Sequence, residues 1–374
     1  AETRRGVAER RRGVVCDAED FTEVLHELIL DIGKISRQAT KNIFVNVNSE
    51  QIKAHNSRGM AAVARADRKI QQDDTERVVQ ASRAGKISQN YMVLHNIVRE
   101  YFVDDVGDIH DPIGMTGSRL EVGTLIVEAF SPQVDILTKN IQRSGGEIGG
   151  LIFNPLSAAR SALTKKQKDL GVLIIDFGFG TTSFAAFEEN KVLYTKSLPI
   201  GAGYITSDIA MGLKTNIDVA EKLKLTYGFA LAKDVSRRET IKLNELDPSN
   251  KSEIAQRFLA EIIEIRLVET LELVNNELKA LGHQVQLPGG VVITGGGAKL
   301  PGLAELVRQE LKLSVQMGYP DLGLLEILNP AHKEMLDDPE FSVATGLVYW
   351  GSDRDKKIGM GMEGVKSFFR NLLP

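Results

Sequence analysis

The chain has 374 residues, with 46 Lys+Arg against 50 Asp+Glu and a formal net charge of −4. Domains run to about 100–200 residues, so this length predicts two or three of them. Hydrophobic residues make up 43% and charged residues 26%, which excludes a largely disordered chain and a coiled-coil rod. The near balance of charge argues against a dedicated nucleic-acid binder. Cys16 is the single cysteine, so there is no intrachain disulfide and no Cys-rich zinc site, and a reducing cytosol fits best. The six histidines (His26, His55, His95, His110, His283 and His332) are scattered without an HxxxH or HExxH pairing, and no structural metal is expected. No apolar run approaches the ~20 residues that cross a bilayer. The basic start from Arg4 to Arg12 leads into an acidic stretch rather than an apolar segment, so no signal peptide is read.

Apolar residues from Phe21 to Ile35 recur at three- and four-residue steps, predicting an amphipathic helix that starts at Asp17–Asp20. A short strand is predicted over Asn42–Val47. From Asn48 to about Glu128 the pattern changes. Alternating segments lie at Tyr91–Asp105 and Arg119–Ala129, a helix at Asp73–Arg83 and a turn-rich connection at Gly107–Gly117. This reads as a small α+β unit inserted into a larger domain. Helices are then predicted at Pro132–Arg143 and Pro155–Leu163, with a strand at Gly149–Phe153 before the second. Strands follow at Val172–Phe177, Ser183–Phe187 and Leu193–Leu198, and helices at Tyr204–Leu213 and Asp218–Thr226. Asn250–Leu281 is a long helical stretch with a stripe from Phe258 to Leu278, stopped by Gly282. A strand at Gly290–Ile293 runs into the glycine turn Thr294–Gly297, and a helix begins near Gly302. The alternation predicts an α/β fold in two halves with a cleft between lobes.

Two stretches share one design. Asp176-Phe177-Gly178-Phe179-Gly180-Thr181-Thr182-Ser183 follows an apolar strand, and its glycines would let backbone amides approach a phosphate. An Asp at the strand end can hold a magnesium ion that neutralises phosphates, and Thr181 and Thr182 add hydroxyl donors. A ligand-free glycine hairpin explains this stretch equally well. Val291-Val292-Ile293-Thr294-Gly295-Gly296-Gly297-Ala298 repeats the pattern, its three glycines baring backbone for a base or ribose. Two such turns are far more specific than one. Glu221 and Lys224 share a helix face at a three-residue step, either as a surface ion pair or as a grip on ribose hydroxyls. There is no GxxxxGK[ST], and the GxGxxG at Gly359–Gly364 has no room for a βαβ unit after it.

The two glycine turns, with Glu221 and Lys224 between them, resemble the phosphate-2 and adenosine motifs of actin-like ATPases. Val93-Leu94-His95 through Glu100-Tyr101, Asp111-Pro112-Ile113-Gly114-Met115-Thr116-Gly117-Ser118-Arg119-Leu120 and Leu198-Pro199-Ile200-Gly201 through Thr206-Ser207-Asp208-Ile209-Ala210 are similar to the bacterial cell-division family FtsA. The likeness runs from about Arg12 to the C-terminus. It implies an actin-like (ribonuclease H-like) two-lobed fold: 1–48 and 129–170 as subdomain 1A, 49–128 as the inserted 1C subdomain, 171–227 and 288–351 as 2A, and 228–287 as 2B. A linker at 352–361 and a membrane-targeting helix at 362–374 complete the division.

The resemblance implies ATP and Mg2+ at Asp176, Gly178, Gly180, Thr181, Thr182, Glu221, Lys224, Gly295, Gly296 and Gly297, with Asp176 reaching the metal. It implies the C-terminal peptide of FtsZ on 2B, other divisome proteins on 1C, self-association into filaments, and a place on the cytoplasmic membrane face at the septum. The family's phosphate-1 strands find no counterpart here, through a real loss or a truncated gene model. Phe179 and Ser183 replace a usual Gly and Asp, and Asn154 stands where relatives orient water with Gln or Glu. Weak or absent hydrolysis is expected. A PilM-like pilus scaffold and, further off, a small-molecule kinase are the alternatives.

The terminal segment is readable without the family. At 100° per residue Val365, Phe368, Phe369, Leu372 and Leu373 share one face, with Lys366 and Arg370 on the other. Such a segment docks on its own domain or lies in a bilayer interface, and the resemblance favours the membrane.

Overall fold

The computed structural model describes residues 10–11, 14–15, 18–84, 87–248, 250, 252–282, 287–327 and 329–359. Most of the basic start, Cys16, His283 and the predicted membrane helix at 362–374, with Val365, Lys366, Phe368, Phe369, Arg370, Leu372 and Leu373, lie outside the described residues. The contacts divide the chain into two units. The first takes Ala1–Arg160, Lys191–Ser197 and Ala344–Pro374, and the second takes Ser161–Asn190 and Leu198–Val343.

In the first unit, helix Ala18–Ile35 carries Glu19 and Asp20 in its first turn and Lys34 in its last, matching the helix dipole. It buries Phe21 and Ile29. Strand Ile43–Val47 pairs in parallel with Ile148–Phe153, Val47 opposite Phe153. Between these two strands in sequence lies a four-stranded antiparallel sheet in the order Ile52–Ala62, Arg119–Phe130, Tyr91–Val103, Val106–Ile109. The inner strand Arg119–Phe130 buries apolar side chains on both faces, among them Leu120, Val122, Leu125, Ile126 and Val127, together with Glu121, Thr124 and Glu128. Helix Gln72–Arg83 lays Val78 and Val79 into a cluster with Val63, Ile70, Val103, Leu120 and Val122. Each such side chain contributes about 1.5–3 kcal/mol by leaving water. The helix comes so close that a Cβ on Gly59 would stand 2.1 Å from Val78 O.

The second unit is built on a sheet containing, in order, Thr182–Glu188, Val172–Phe177, Val291–Thr294 and Val315–Met317. The first pair is an antiparallel hairpin and the next two pairings are parallel. Val172–Phe177 is buried along its whole length, as a central strand covered on both faces must be. Helices Ala202–Leu213, Ile217–Tyr227, Gln256–Ala280 and Leu303–Leu311 belong to this unit.

Three expectations need correction. The long helix begins at Gln256, because Glu253–Ala255 pairs with Thr240–Lys242 and sets Ile254 opposite buried Ile241. Phe258, expected in its buried stripe, is exposed, and the stripe runs instead through Leu259, Ile263, Leu267, Leu271 and Val274. Residues 352–359, read as linker, continue helix Ser342–Gly359. In the first unit that helix is held by an Arg160–Asp353 ion pair at 2.8 Å and by Gly346 packed on Ser157. Among the described residues no helix is long and apolar enough to cross a membrane.

Candidate functional site

The two glycine turns meet in the second unit. Asp176 stands in register with Thr294 on the neighbouring parallel strand, so both strands end side by side and both turns leave from the same edge. Carboxyl ends of parallel strands are where open α/β sheets take ligands. Gly295 has φ +85°, and a Cβ there would lie 2.4 Å from Asp176 Oδ1 and 2.7 Å from Phe177 O. A Cβ on Gly297 would lie 2.8 Å from Phe177 O. Gly295 and Gly297 are therefore required by packing of one turn on the other. Gly296 is different: its nearest neighbour would be Glu340 Oε2 at 3.7 Å, an ordinary contact. Of the three glycines it alone keeps a space that the fold itself does not fill.

The hairpin turn is closed by Gly178 N–H donating to Thr181 O at 3.0 Å. Its carbonyls then take the first amides of helix Ala202–Leu213: Ala202 N–H reaches Gly178 O at 2.9 Å and Gly203 N–H reaches Phe179 O at 2.7 Å. Gly201 must be bare for this, since a Cβ would come within 2.5 Å of Phe179 O. Asp176, Thr181 and Thr182 are buried. Thr182 Oγ1 has no hydrogen-bond partner among the described residues, and Thr182 lines a cavity of about 10 Å³, room for one water.

Glu221 and Lys224 lie on helix Ile217–Tyr227, whose start is capped by Asn216 Oδ1 accepting from Val219 N–H at 2.8 Å. Lys224 is buried. Its ammonium donates to Glu221 Oε2 at 2.7 Å, Thr206 Oγ1 at 2.9 Å and Ala202 O at 3.2 Å. Burial pushes its pKa down, and Glu221 pulls part of that shift back. The pair thus fastens this helix to the first turn of Ala202–Leu213, directly behind the hairpin. Asn154 belongs to the first unit, where its Oδ1 accepts from Asn46 Nδ2 at 2.9 Å.

Sequence reading missed Lys299 and the contacts of the Thr294 hydroxyl. Lys299 Nζ, on the turn after Gly297, sits 2.7 Å from Asp338 Oδ2 and 3.1 Å from Glu340 Oε2, and the bond to Asp338 leads in raising its pKa. Thr294 Oγ1 is buried within 2.8 Å of Pro339 O, 3.0 Å of Gly318 O and 2.7 Å of Ser342 Oγ. A cavity of about 610 Å³ is lined by Lys299 with Glu305, Met317, Tyr319, Asp337 and Asp338. Their partners, Asp338 and Glu340 for Lys299 and Gly318, Pro339 and Ser342 for Thr294, lie far along the chain and leave no local signal.

Asp176 offers one carboxylate at the turn, which suits a magnesium ion shared with phosphates rather than a protein-only cage. Among the described residues no group of three or more His, Cys, Asp and Glu is placed to hold a metal ion.

Solved structures place this architecture among the actin-like ATPase folds. The PilM-PilN type IV pilus biogenesis complex aligns with TM-score 0.63 and 18% identity, over 92% of this chain and 88% of that one. MreB5 of Spiroplasma citri, solved bound to ADP, aligns with TM-score 0.57 and 13% identity over 94% and 80%. These fix the fold alone. Sequence comparison goes further. Residues 173–346 match the family described as Cell division protein FtsA, and residues 49–128 match the SHS2 domain inserted in FTSA. Cell division protein FtsA of Pseudomonas aeruginosa is 32% identical over 354 residues, 94% of this chain and 82% of that protein. That of Bacillus subtilis is 29% identical over 94% and 78%. The chain belongs to the FtsA family of cell-division proteins.

Proposed function

We propose that the protein is an FtsA-type division adaptor that binds ATP with Mg2+ at the paired turns of the second unit. The observation that carries the nucleotide reading is the space kept at Gly296 between two turns whose other glycines are accounted for by packing. Amides of the Gly178–Thr181 turn would face phosphate, Asp176 would share the metal, and Gly295–Gly297 would back the nucleoside, with Glu221 and Lys224 behind them. When bound, the metal supplies charge neutralisation of the phosphates. Turnover is expected to be weak, because Asn154 stands where relatives orient water with Gln or Glu and an amide cannot serve as a general base. Substituting Gly296→Val tests the site. The variant should fold normally and lose ATP binding in calorimetry, and unchanged binding would remove the proposal.

On this reading the adaptor tethers FtsZ filaments to the cytoplasmic membrane face at the septum. The FtsZ C-terminal peptide docks on 228–287, later divisome proteins on 49–128, and copies assemble into filaments. Val365, Phe368, Phe369, Leu372 and Leu373, with Lys366 and Arg370, supply the membrane contact. Burying five such side chains gains at most about 7–15 kcal/mol. Ordering and immobilisation consume about 4–15 kcal/mol of that. One copy then binds marginally and an array binds well. Deleting 365–374 should abolish pelleting with anionic liposomes; equal pelleting of both forms would refute the tether.

A further inference from the structure

We infer that Thr182 holds one buried water at the point where the two glycine turns meet helix Gln256–Ala280, and that its hydroxyl serves this water and not a phosphate. The inference stands apart from the nucleotide reading and adds a ligand, a single water molecule, to the region beneath it. In sequence Thr182 reads as one more hydroxyl donor of the Asp176–Ser183 stretch. In the fold it opens strand Thr182–Glu188 directly opposite Phe177 and is fully buried, whereas Phe179 in the same turn is half-exposed. Its Oγ1 finds no hydrogen-bond partner among the described residues. A buried hydroxyl left in that state loses its hydration with nothing in return.

The cavity that Thr182 lines, about 10 Å³, draws its wall from elements far apart in sequence. Phe177 and Gly297 come from the two turns, Ala202 from the start of its helix, and Leu267 and Thr270 from the middle of Gln256–Ala280. Thr270 is buried too, and its hydroxyl donates to Arg266 O, 2.9 Å away in its own helix. The lone pairs of Thr270 Oγ1 remain to accept, and the Thr182 hydroxyl can donate or accept. Two hydroxyl residues around one gap give a water the minimum of two polar partners, and the volume matches one molecule. Cavities that stay empty are apolar, which this one is not. Thr182 Oγ1 has no protein partner, so the two hydroxyls do not bond each other directly. The water is what joins them.

The test is a double-mutant cycle of Thr182→Val and Thr270→Val, each nearly isosteric. It is read by thermal unfolding and by magnetic relaxation dispersion of the solvent, which counts long-lived internal waters. Each single variant should melt about 2–4 °C below the parent and carry one long-lived water fewer. The double variant should lack that same one water. Its melting point should fall by clearly less than the sum of the two single shifts, because the second hydroxyl has no water left to hold. Thr182→Val melting at or above the parent would show a dry cavity and overturn the inference, and so would additive shifts or an unchanged water count. Calorimetric titration with Mg-ADP, well below the melting point, separates the two roles of the hydroxyl. Thr182→Val should bind as the parent does; a tenfold loss would give the hydroxyl to the ligand and overturn its assignment to water. If the parent itself does not bind Mg-ADP, the nucleotide reading fails, while the water stands or falls on melting and relaxation alone.

Discussion

Asp104 follows the last residue of one strand and Asp176 precedes the last residue of another, and the two turns beside them are held by opposite means. In the inserted sheet, Asp104 takes a positive φ of 47° and its carboxylate accepts from Ser118 N–H at 3.0 Å and Arg119 N–H at 2.8 Å. The Ser118 bond leads in holding that carboxyl below its ordinary pKa. Asp74 does the same for its helix start, accepting from Gln71 N–H at 2.9 Å. There the side chain closes the backbone. At the paired turns the backbone closes on itself, and it is the lack of side chains at Gly295 and Gly297 that allows it. The first arrangement fails when a side chain is lost, the second when one is gained. Only the second can leave a gap beside bare peptide, as it does at Gly296.

The largest expected effect is a gain. Gly295→Ala should cost about 3 kcal/mol or more in urea unfolding, because a left-handed backbone and an overlap with Asp176 Oδ1 act together. A cost under about 1 kcal/mol would show that the turns do not abut. Next comes a loss. Asp74→Ala should cost about 2 kcal/mol at neutral pH, since a nearly buried carboxylate there serves Gln71 N–H, Arg77 and Arg65. Burial alone would raise the Asp74 pKa, but the Gln71 amide, Arg77 and Arg65 together hold it low. A depressed acid stabilises above its unfolded pKa and loses that contribution as pH falls through its folded one. The gap between parent and variant should therefore be widest at neutral pH and close in acid, below the ordinary aspartate range; a gap independent of pH would contradict the assignment.

Thr294→Val sharpens the contrast, for it removes a buried hydroxyl at the end of the strand that leads into the Gly295–Gly297 turn. It should cost about 1–2 kcal/mol by leaving a buried carbonyl short of its one hydroxyl donor. A neutral result in thermal unfolding would mean water replaces the hydroxyl. The smallest effect is the most telling. Gly296→Val should change stability by no more than about 0.5 kcal/mol, an addition accepted by a region that otherwise refuses additions.

Much of this was legible in sequence because period and punctuation agree. Val172–Phe177 and Val291–Thr294 are short apolar runs stopped by glycine, and their turns were recognisable as a pair. Strand Ile52–Ala62 was not legible: Lys53, His55, Asn56, Ser57, Arg58 and Gly59 carry no apolar alternation, and the strand exists because Arg119–Phe130 pairs with it along its whole length. His95 was noted only as one of six scattered histidines. A register shift between Val93 and His95 accompanies its burial, and its Nε2 accepts from Phe153 N–H at 3.0 Å, 58 residues away. What glycines do was half legible. Composition shows three in a row, but only the distances show that two serve packing and one does not.

The Thr294 hydroxyl has a consequence for length variation. Gly318 O and Pro339 O both lie within reach of that one oxygen. The excursion between them is thus pinched shut at its neck, like a purse on a drawstring. Lengthening a loop whose ends are already tied costs little, about 0.6 kcal/mol for each doubling. The exposed turn at Gly323 and Leu324 within that excursion is accordingly the place to splice in a fluorescent reporter while leaving the strand edge beneath it in register.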